Sequence, residues 1–262
     1  MENLTKRIQE TRVASGSVAI FWLGQAGFAF KTPTGKVIFT DPYMTDYVQR
    51  VLPEYGLAFK RIMPKLIEAE EADADYIVST HSHQDHLDAD ALPVLLTNPR
   101  IHFFGSPDCR EYYIKAGVPE SRFTIFHKGE SFDLGGFSLT GVYADHGELA
   151  PDALGVLFNF NGIKIWQVGD TAYRPEMWQD LFKMGIDILL PPINGAFGNL
   201  NGVEAAKLAH DAHVKLVIPC HYWMFAQHLG SPLEFLDACK QYAPEVTPLM
   251  LTQGEGFDYF KK

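Results

Sequence analysis

A dense run of imidazole and carboxyl groups after an apolar strand constrains this chain more than any other feature. Residues 80–88 read Thr-His-Ser-His-Gln-Asp-His-Leu-Asp and place His81, His83, Asp85 and His86 within six positions. Imidazole and carboxylate bind zinc and similar divalent ions. Four such groups at a strand end would repel and desolvate one another without a cation. The spacing suits two ions, because His81 and His83 can face one while Asp85 and His86 face a neighbour. The alternative, a polar surface turn, fits so dense a pattern poorly.

Three more candidate ligands follow predicted apolar strands farther along the chain. They are His146 in Ala-Asp-His-Gly, Asp170 in Val-Gly-Asp-Thr and His221 in Pro-Cys-His-Tyr. Strand ends can aim side chains from rigid elements into one shared cleft. A lone histidine at such a place is more often a structural hydrogen-bonding group than a ligand. Three strand ends after a strong first motif favour the ligand interpretation.

The sequence resembles the metallo-β-lactamase superfamily over nearly the whole chain, from about Val18 to Phe260. The resemblance rests on His-x-His-x-Asp-His, then a histidine, Gly-Asp and a last histidine. Within the superfamily, the chain most resembles the L-ascorbate-6-phosphate lactonase-like branch. The segments that carry this second resemblance are Trp-Leu-Gly-Gln-Ala-Gly-Phe (22–28), Thr-Asp-Pro-Tyr (40–43), Pro-Ile-Asn-Gly (192–195) and Ile-Pro-Cys-His-Tyr (218–222).

The resemblance implies an α+β fold, an αββα four-layer sandwich of two mixed β-sheets flanked by helices. It also implies a binuclear site. Three histidines would hold the first ion, His81, His83 and His146. The second ion would be held by Asp85, His86 and His221, and Asp170 would bridge the pair. A hydroxide between the two ions would be the nucleophile. Zinc or manganese suits this donor set, and iron is less favoured.

Two further carboxylates have candidate roles near these ligands. Asp85 could also act in catalysis, by orienting the water or by carrying a proton to the leaving group. Asp41 follows an earlier strand and could orient a ligand histidine. A turn carboxylate before Pro42 explains Asp41 equally well. The other histidines receive no role from the sequence; they are His102, His127, His210, His213 and His228.

Loop residues are the candidates for substrate binding. Gln25 and Asn194 could bond to hydroxyls or a lactone, and Tyr222 and Trp223 could pack against a ring. Loop capping explains the amides, and core packing the aromatics, equally well. Three basic residues, Arg50, Lys60 and Arg61, could meet a substrate phosphate, although solvated charges on a helix are the commoner explanation.

The 262 residues indicate one domain, 1–262, because no Pro/Gly/Ser-rich linker or tandem repeat divides them. Residues 44–70 read as helical segments and loops that cover the site, a substrate-covering insertion. Predicted strands lie at 17–23, 27–32, 36–40, 75–80, 101–105, 122–127, 137–144, 154–160, 163–168, 186–190, 214–219, 246–251 and 256–260. Predicted helices lie at 89–97, 107–116, 175–184, 202–212 and 232–241, with Ser106 as a candidate N-cap, and residues 1–12 read as a short amphipathic helix or a frayed end.

Composition narrows the partners and the compartment. A net charge of −10 argues against a general nucleic-acid surface. No window predicts a membrane span or a signal sequence. Three scattered cysteines do not form a disulfide framework and suit a reducing cytoplasm. We therefore expect a cytoplasmic protein with a small-molecule substrate and neither nucleic-acid nor membrane partners. A homo-oligomer is compatible with the resemblance.

Three functions are compatible with the sequence. The first is a metal-dependent hydrolase of a small polar lactone or ester, with or without a phosphate group. The second is a phosphodiesterase of the same fold. The third is a metal-binding sensor or scaffold without turnover, against which the complete ligand set argues. His83 stands where the flavin-linked di-iron branch of the fold carries a carboxylate, which disfavours that branch.

Overall fold

Two β-sheets of seven strands each organise the fold in a computed structural model that describes residues 3–261. Six strands of the first sheet come from the first half of the chain: β1 (Ser17–Gly24), β2 (Gly27–Lys31), β3 (Val37–Thr40), β4 (Tyr76–Ser79), β5 (His102–Gly105) and β6 (Phe123–Ile125). The second sheet contains β7 (Ser131–Asp133), β8 (Ser138–Tyr143), β9 (Leu154–Phe160), β10 (Ile163–Gln167), β11 (Ile188–Leu190), β12 (Leu216–Val217) and β13 (Thr247–Pro248). The last strand, β14 (Gly256–Phe260), returns to the first sheet beside β1.

Both sheets are mixed. The first has the order β14-β1-β2-β3-β4-β5-β6, antiparallel from β14 to β3 and parallel from β3 to β6. The second has the order β13-β12-β11-β10-β9-β8-β7, antiparallel from β7 to β10 and parallel from β10 to β13. Each sheet therefore combines an antiparallel meander with parallel strands that are connected through helices or long loops.

Helices cover the outer faces of the two sheets, which confirms the predicted sandwich. The α-helices are α1 (Leu4–Glu10), α2 (Tyr47–Val51), α3 (Leu92–Leu95), α4 (Cys109–Lys115), α5 (Gln179–Phe182), α6 (Gly202–Asp211) and α7 (Pro232–Tyr242). Apolar side chains of α1, α3 and α4 pack in one cluster with the first sheet. Those of α5, α6 and α7 pack with the second sheet.

Strand β1 shows why the first sheet lies in the middle of the molecule. Val18, Ile20 and Trp22 pack in the cluster that lies between the two sheets. Ala19 and Phe21 alternate with them and pack in the cluster with α1, α3 and α4. Successive side chains of a strand point to opposite faces, so a strand that is buried on both faces reads as a continuous apolar run.

Some element boundaries differ from the sequence prediction. Strand β7 was not predicted, because its Ser-Phe-Asp sequence is too short and polar to show a pattern. Residues 246–251 pair over only two positions, β13. The predicted helix at 175–184 is a 3₁₀ turn (Pro175–Met177) followed by the short α5. Ser106 is not an N-cap, because α4 begins at Cys109 with Asp108 in the cap position.

The helix at the start of the chain is shorter than residues 1–12. Of the predicted helix 1–12, α1 covers Leu4–Glu10, with Asn3 as its N-cap, and residues 1–2 lie outside the described residues.

None of the helices within residues 3–261 combines the length and the apolar character needed to traverse a bilayer.

Candidate metal centre

The loops that follow strands of both sheets bring the predicted ligands together. His81, His83, Asp85 and His86 follow β4 of the first sheet. Their counterparts from the second sheet follow β8, β10 and β12; they are His146, Asp170 and His221. Because the two sheets face each other, these loops meet at one edge of the sandwich. The sequence analysis expected the side chains at these strand ends to share one cleft.

The first group of ligand atoms comes from His81, His83, His146 and Asp170, and all of them lie within 4.8 Å of one another. His83 Nδ1 is 2.9 Å from His81 Nε2 and 3.3 Å from His146 Nε2. Asp170 Oδ2 is 3.7 Å from His146 Nε2. Three imidazole nitrogens and one carboxylate oxygen therefore face a common centre.

The second group shares Asp170 with the first. His86 Nε2 and His221 Nε2 are 3.2 Å apart, and each is 3.3 Å from Asp170 Oδ1. Asp85 Oδ2 is 3.2 Å from His221 Nε2 and 3.8 Å from His86 Nε2. Asp170 thus presents Oδ2 to one group and Oδ1 to the other, the arrangement that a bridging carboxylate needs.

Hydrogen bonds outside the groups fix which nitrogen of His83 and of His86 faces inward. His83 Nε2 donates to the Leu149 carbonyl at 3.1 Å, so its Nδ1 keeps a lone pair toward the first group. His86 Nδ1 donates to Asp41 Oδ2 at 2.9 Å, so its Nε2 is the nitrogen that faces the second group. Such carboxylate or carbonyl partners are typical of metal-binding histidines.

The donor set fits divalent cations. Asp170 Oδ1 is buried without a hydrogen-bond partner in the described part of the chain. Around it, the Nε2 atoms of His86 and His221 stand too close for two lone pairs to coexist without a cation or a shared proton. Buried lone pairs of nitrogen and carboxylate oxygen that converge in this way are what zinc or a similar ion binds.

Electrostatics keep the carboxylates ionised. Burial alone would raise the pKa of Asp170, but the charges of His221 and His86 hold it well below its usual range. Burial likewise opposes ionisation of Asp85, whose pKa is also held well below its usual range, chiefly by His86 and His221. Burial, followed by the charge of His86, lowers the pKa of His81 well below its usual value. The carboxylates and His81 are therefore ready as ligands without first losing a proton.

Asp41 is a partner of the motif rather than a solvent-facing turn residue. Its side chain is completely buried. It accepts hydrogen bonds from the Thr80 backbone and hydroxyl at 2.8 Å, from Gln167 at 3.0 Å and from His86. The carboxylate therefore holds the start of the motif and the ring of His86 in one orientation.

Three residues in or beside the two groups have a left-handed backbone conformation: Gln25, Asp41 and His221. The φ angles are 50° at Gln25, 43° at Asp41 and 59° at His221. Non-glycine residues rarely adopt positive φ, and such strain is concentrated at functional sites. Gly169, directly before Asp170, has a φ of 74°, and a Cβ there would lie 2.6 Å from the Leu154 carbonyl oxygen. Only glycine fits at that point.

His228 belongs to the site, although the sequence gave it no role. Its Nδ1 accepts a hydrogen bond from Gln25 Nε2 at 2.9 Å, and Gln25 Nε2 also donates to Asp85 Oδ2 at 2.7 Å. Ligand atoms of Asp85, His221 and His228 lie within 4.8 Å of one another. Burial lowers the pKa of His228 to about 4, and the nearby His221 adds to this effect. His228 follows no strand, so only its closeness in sequence to His221 could have suggested it.

A cavity of about 200 Å³ opens above the ligands. Its polar floor includes His83, Asp85, His146, Asp170 and His228. Its wall includes residues of the segment 44–70, predicted to cover the site, together with Leu149 and Phe197.

The four predicted substrate-binding residues are not among those that line this cavity. Gln25 is buried and bonds to Asp85 instead. Tyr222 is buried and stacks on Trp22 with ring centroids 5.0 Å apart. Asn194 is also buried, and Trp223 is half exposed away from the cavity. The structure therefore places all four outside the cavity wall, with the aromatic Tyr222 in the core.

A family sequence model described as "Beta-lactamase superfamily domain" matches residues 19–221. Its extent, together with the fold and the ligand geometry, defines the class: the chain belongs to the metallo-β-lactamase superfamily, and within it to the UPF0173 metal-dependent hydrolase family. The UPF0173 metal-dependent hydrolase of Polynucleobacter asymbioticus is 32% identical over 92% of this chain and 86% of the relative.

Solved structures share the fold at lower sequence identity. The chain is similar to Igni18, described as a novel metallo hydrolase from Ignicoccus hospitalis, with a TM-score of 0.73 and 20% identity. That similarity covers 94% of this chain and 100% of Igni18. A possible metal-dependent hydrolase from Veillonella parvula has a TM-score of 0.73 and 16% identity, over 91% of this chain and 98% of its own.

Proposed function

We propose that this metal-dependent hydrolase cleaves the acyl C–O bond of a small ester or lactone, as a member of the lactonase-like branch would. The observation that carries the proposal is the division of the ligands into two groups that share Asp170, at the floor of a cavity. In the reaction, water supplies a hydroxyl group to the acyl carbon and a proton to the leaving oxygen.

The chain's own residues would hold two divalent ions, zinc or manganese. His81, His83 and His146 would bind one ion, and His86, His221 and Asp85 the other, with Asp170 between them. Ions bound there supply a nucleophile from water at neutral pH and stabilise negative charge on the carbonyl oxygen. The protein holds these ligands rigid through Asp41, the Leu149 carbonyl and the strained backbone.

Asp85 is the residue we assign to proton transfer. It lies on the cavity floor, and its Oδ2 is held by the Gln25 amide at 2.7 Å. A carboxylate that is ionised and fixed in this way can accept a proton and deliver it to the leaving oxygen. Gln25 thereby orients the Asp85 carboxylate and does not itself contact substrate.

Ester or lactone cleavage is favoured over phosphodiester cleavage by the charges around the cavity. Within the described residues, no lysine or arginine lines it. Enzymes that transfer phosphoryl groups commonly use lysine or arginine together with metal to neutralise the phosphate oxygens. The two alternatives, a phosphodiesterase and a sensor without turnover, are therefore distinguished from the ester or lactone hydrolase by the experiment below.

The test is hydrolysis by the metal-loaded protein of a panel of lactones and p-nitrophenyl esters, beside bis-p-nitrophenyl phosphate. We expect turnover of at least one lactone or ester, lost on chelation and restored by zinc or manganese. The variant Asp85→Asn should reduce kcat more than it changes KM. Faster turnover of the phosphodiester would favour the second function. No turnover of any substrate would contradict the proposal.

A further inference from the structure

The wall of the cavity differs in character from its floor. Above the ligands, it consists mainly of apolar and aromatic side chains: Val48, Leu52, Tyr55, Phe59, Leu149 and Phe197. Three of these are large hydrophobic residues that remain about half exposed, Tyr55 at 50%, Leu149 at 57% and Phe197 at 42%. Exposed apolar side chains grouped around a cavity indicate a surface that a ligand covers.

The aromatic part of this wall reaches the ligand cluster without a break. The ring centroids of Phe59 and Phe197 are 6.2 Å apart, and both rings pack on His228, at 5.6 Å and 5.3 Å. Tyr55 extends the contact outward, 5.2 Å from Phe59. Since His228 is bonded to the same amide as Asp85, a group bound on this wall lies next to the site of reaction.

The basic residues that could meet an anionic substrate are engaged elsewhere. Arg50 makes a two-pronged ion pair with Asp90, with N–O distances of 2.5 and 2.6 Å. Arg61 lies 4.0 Å from the centre of the Tyr43 ring and donates to the Thr45 carbonyl at 2.6 Å. Lys60 is exposed and does not line the cavity. The charged residue on the wall above the floor is Glu54, an acid.

We propose that the site selects an uncharged ester or lactone whose non-reacting part is apolar, and that it rejects substrates with a phosphate or carboxylate at that end. This inference rests on the proposed function and names its substrate class. An anionic tail would lose its hydration against apolar side chains and face Glu54 without a cation to pair with. The cavity of about 200 Å³ is smaller than the roughly 300–1,000 Å³ of sites for drug-sized ligands, so the substrate is small.

The first experiment measures kcat/KM for p-nitrophenyl acetate, p-nitrophenyl hexanoate and the p-nitrophenyl monoester of adipic acid. The last two have acyl chains of equal length, and only the adipate ends in a carboxylate. We expect hexanoate to exceed both others by roughly tenfold or more, since each extra methylene in an apolar pocket adds discrimination. Equal or faster turnover of the adipate ester would overturn the inference.

Matched leucine variants locate the preference on this wall. Leu149→Ala removes a wall residue that is 57% exposed, and Leu233→Ala removes a residue of α7 that is 69% exposed and does not line the cavity. Leu149→Ala should reduce kcat/KM for hexanoate about fivefold while acetate changes little. Leu233→Ala should leave both unchanged. Phe197→Ala, with Phe260→Ala as its control, repeats the comparison for an aromatic residue. Identical ratios in all variants would contradict the proposed wall.

A binding measurement separates this inference from the proposed function. Titration of the metal-loaded protein with hexanamide, and with its analogue that ends in a carboxylate, requires no turnover. We expect hexanamide to bind more tightly than the anion, and Leu149→Ala to weaken it. Ester turnover without any preference for apolar substrates would refute only the substrate class. Apolar binding without turnover would refute only the hydrolase.

Discussion

At the residue scale, three aspartates in one site have three different environments. Asp170 turns its two oxygens to two groups of histidines. Asp85 lies on the cavity floor and is held by an amide. Asp41 is completely buried and touches the site only through His86 and its neighbours. In the proposed function, side chains of one type would therefore bridge two ions, face substrate or orient a ligand according to what surrounds them.

The orienting role of Asp41 predicts the effect of Asp41→Asn. A neutral amide offers one accepting oxygen in place of the two carboxylate oxygens that now accept from His86, Thr80 and Gln167, so the His86 ring is held less firmly. We expect metal affinity to fall about 10–100-fold. Competition with a chromogenic chelator measures it. Asp180→Asn, at an exposed position on α5, is the control and should keep wild-type affinity. Unchanged affinity in Asp41→Asn would show that the contact is only structural.

Gln25 gives a second prediction at this scale. Gln25→Leu keeps the volume and removes the donor to Asp85 and His228. We expect kcat to fall roughly 10–100-fold, as for other residues that orient ligands, and the free energy of unfolding to fall by about 1–3 kcal/mol because buried acceptors lose their partner. Kinetics together with urea unfolding measure both. A loss of stability with full kcat would contradict the role assigned to Gln25.

The sequence indicates which imidazoles and carboxylates lie together more readily than it indicates which residues form the pocket wall. His81 to His86 are contiguous, and the other ligands follow apolar strands, so local patterns reveal them. The pocket wall comes from separate segments around 48–59, 149 and 197, whose meeting depends on the tertiary fold. Tyr222 shows the same limit, because its ring stacks on Trp22 in the core, and its residue type alone does not reveal that direction.

At the scale of the elements, the strand ends position the site, and the turn between β10 and Asp170 requires a glycine, Gly169. Gly169→Ala should lose stability for two reasons, the positive φ and the clash with the Leu154 carbonyl oxygen. Gly162, in the β9–β10 turn, has a φ of 98°, and a Cβ there would have no heavy atom within 4 Å. Gly162→Ala therefore has the cost of the positive φ but no clash.

The positive φ alone costs about 1–2 kcal/mol in each variant. We expect Gly169→Ala to exceed Gly162→Ala by at least about 1 kcal/mol of unfolding free energy, and to bind metal less tightly because Asp170 moves. Urea unfolding and chelator competition measure the two effects. Equal losses of stability in the two variants would show that the Leu154 contact relaxes without cost.

Elements were predictable where their pattern is long. Strands β1, β9 and β10 are apolar runs bounded by glycine or polar turns, and helices α6 and α7 begin at side-chain N-caps, Asn201 and Ser231. Strands β7 and β13 have three and two residues, too few to show a period, and exist because a neighbouring strand pairs with them.

At the scale of the whole molecule, the site joins the two sheets. Candidate ligands from loops after β4 of the first sheet and after β8, β10 and β12 of the second lie together in common groups. Metal bound there would cross-link the two halves of the sandwich, and stability should depend on it.

Removal of metal should therefore lower the melting temperature. A ligand at 1,000 times its Kd stabilises a fold by about 4 kcal/mol, which for a chain of this size corresponds to roughly 10 °C. Scanning calorimetry with and without chelator measures the shift, and added zinc should restore it. His81→Ala removes a ligand from the first group and leaves the second intact, so chelator should shift its melting temperature less than that of the wild-type protein. An equal shift in that variant would assign the stabilisation to other sites.

The metal content of the purified protein and of Asp170→Ala, by inductively coupled plasma mass spectrometry, tests the shared carboxylate most directly. The account predicts about two divalent ions per wild-type chain, and loss from both groups in Asp170→Ala with a native circular dichroism spectrum. Wild-type metal content in a folded Asp170→Ala protein would contradict it.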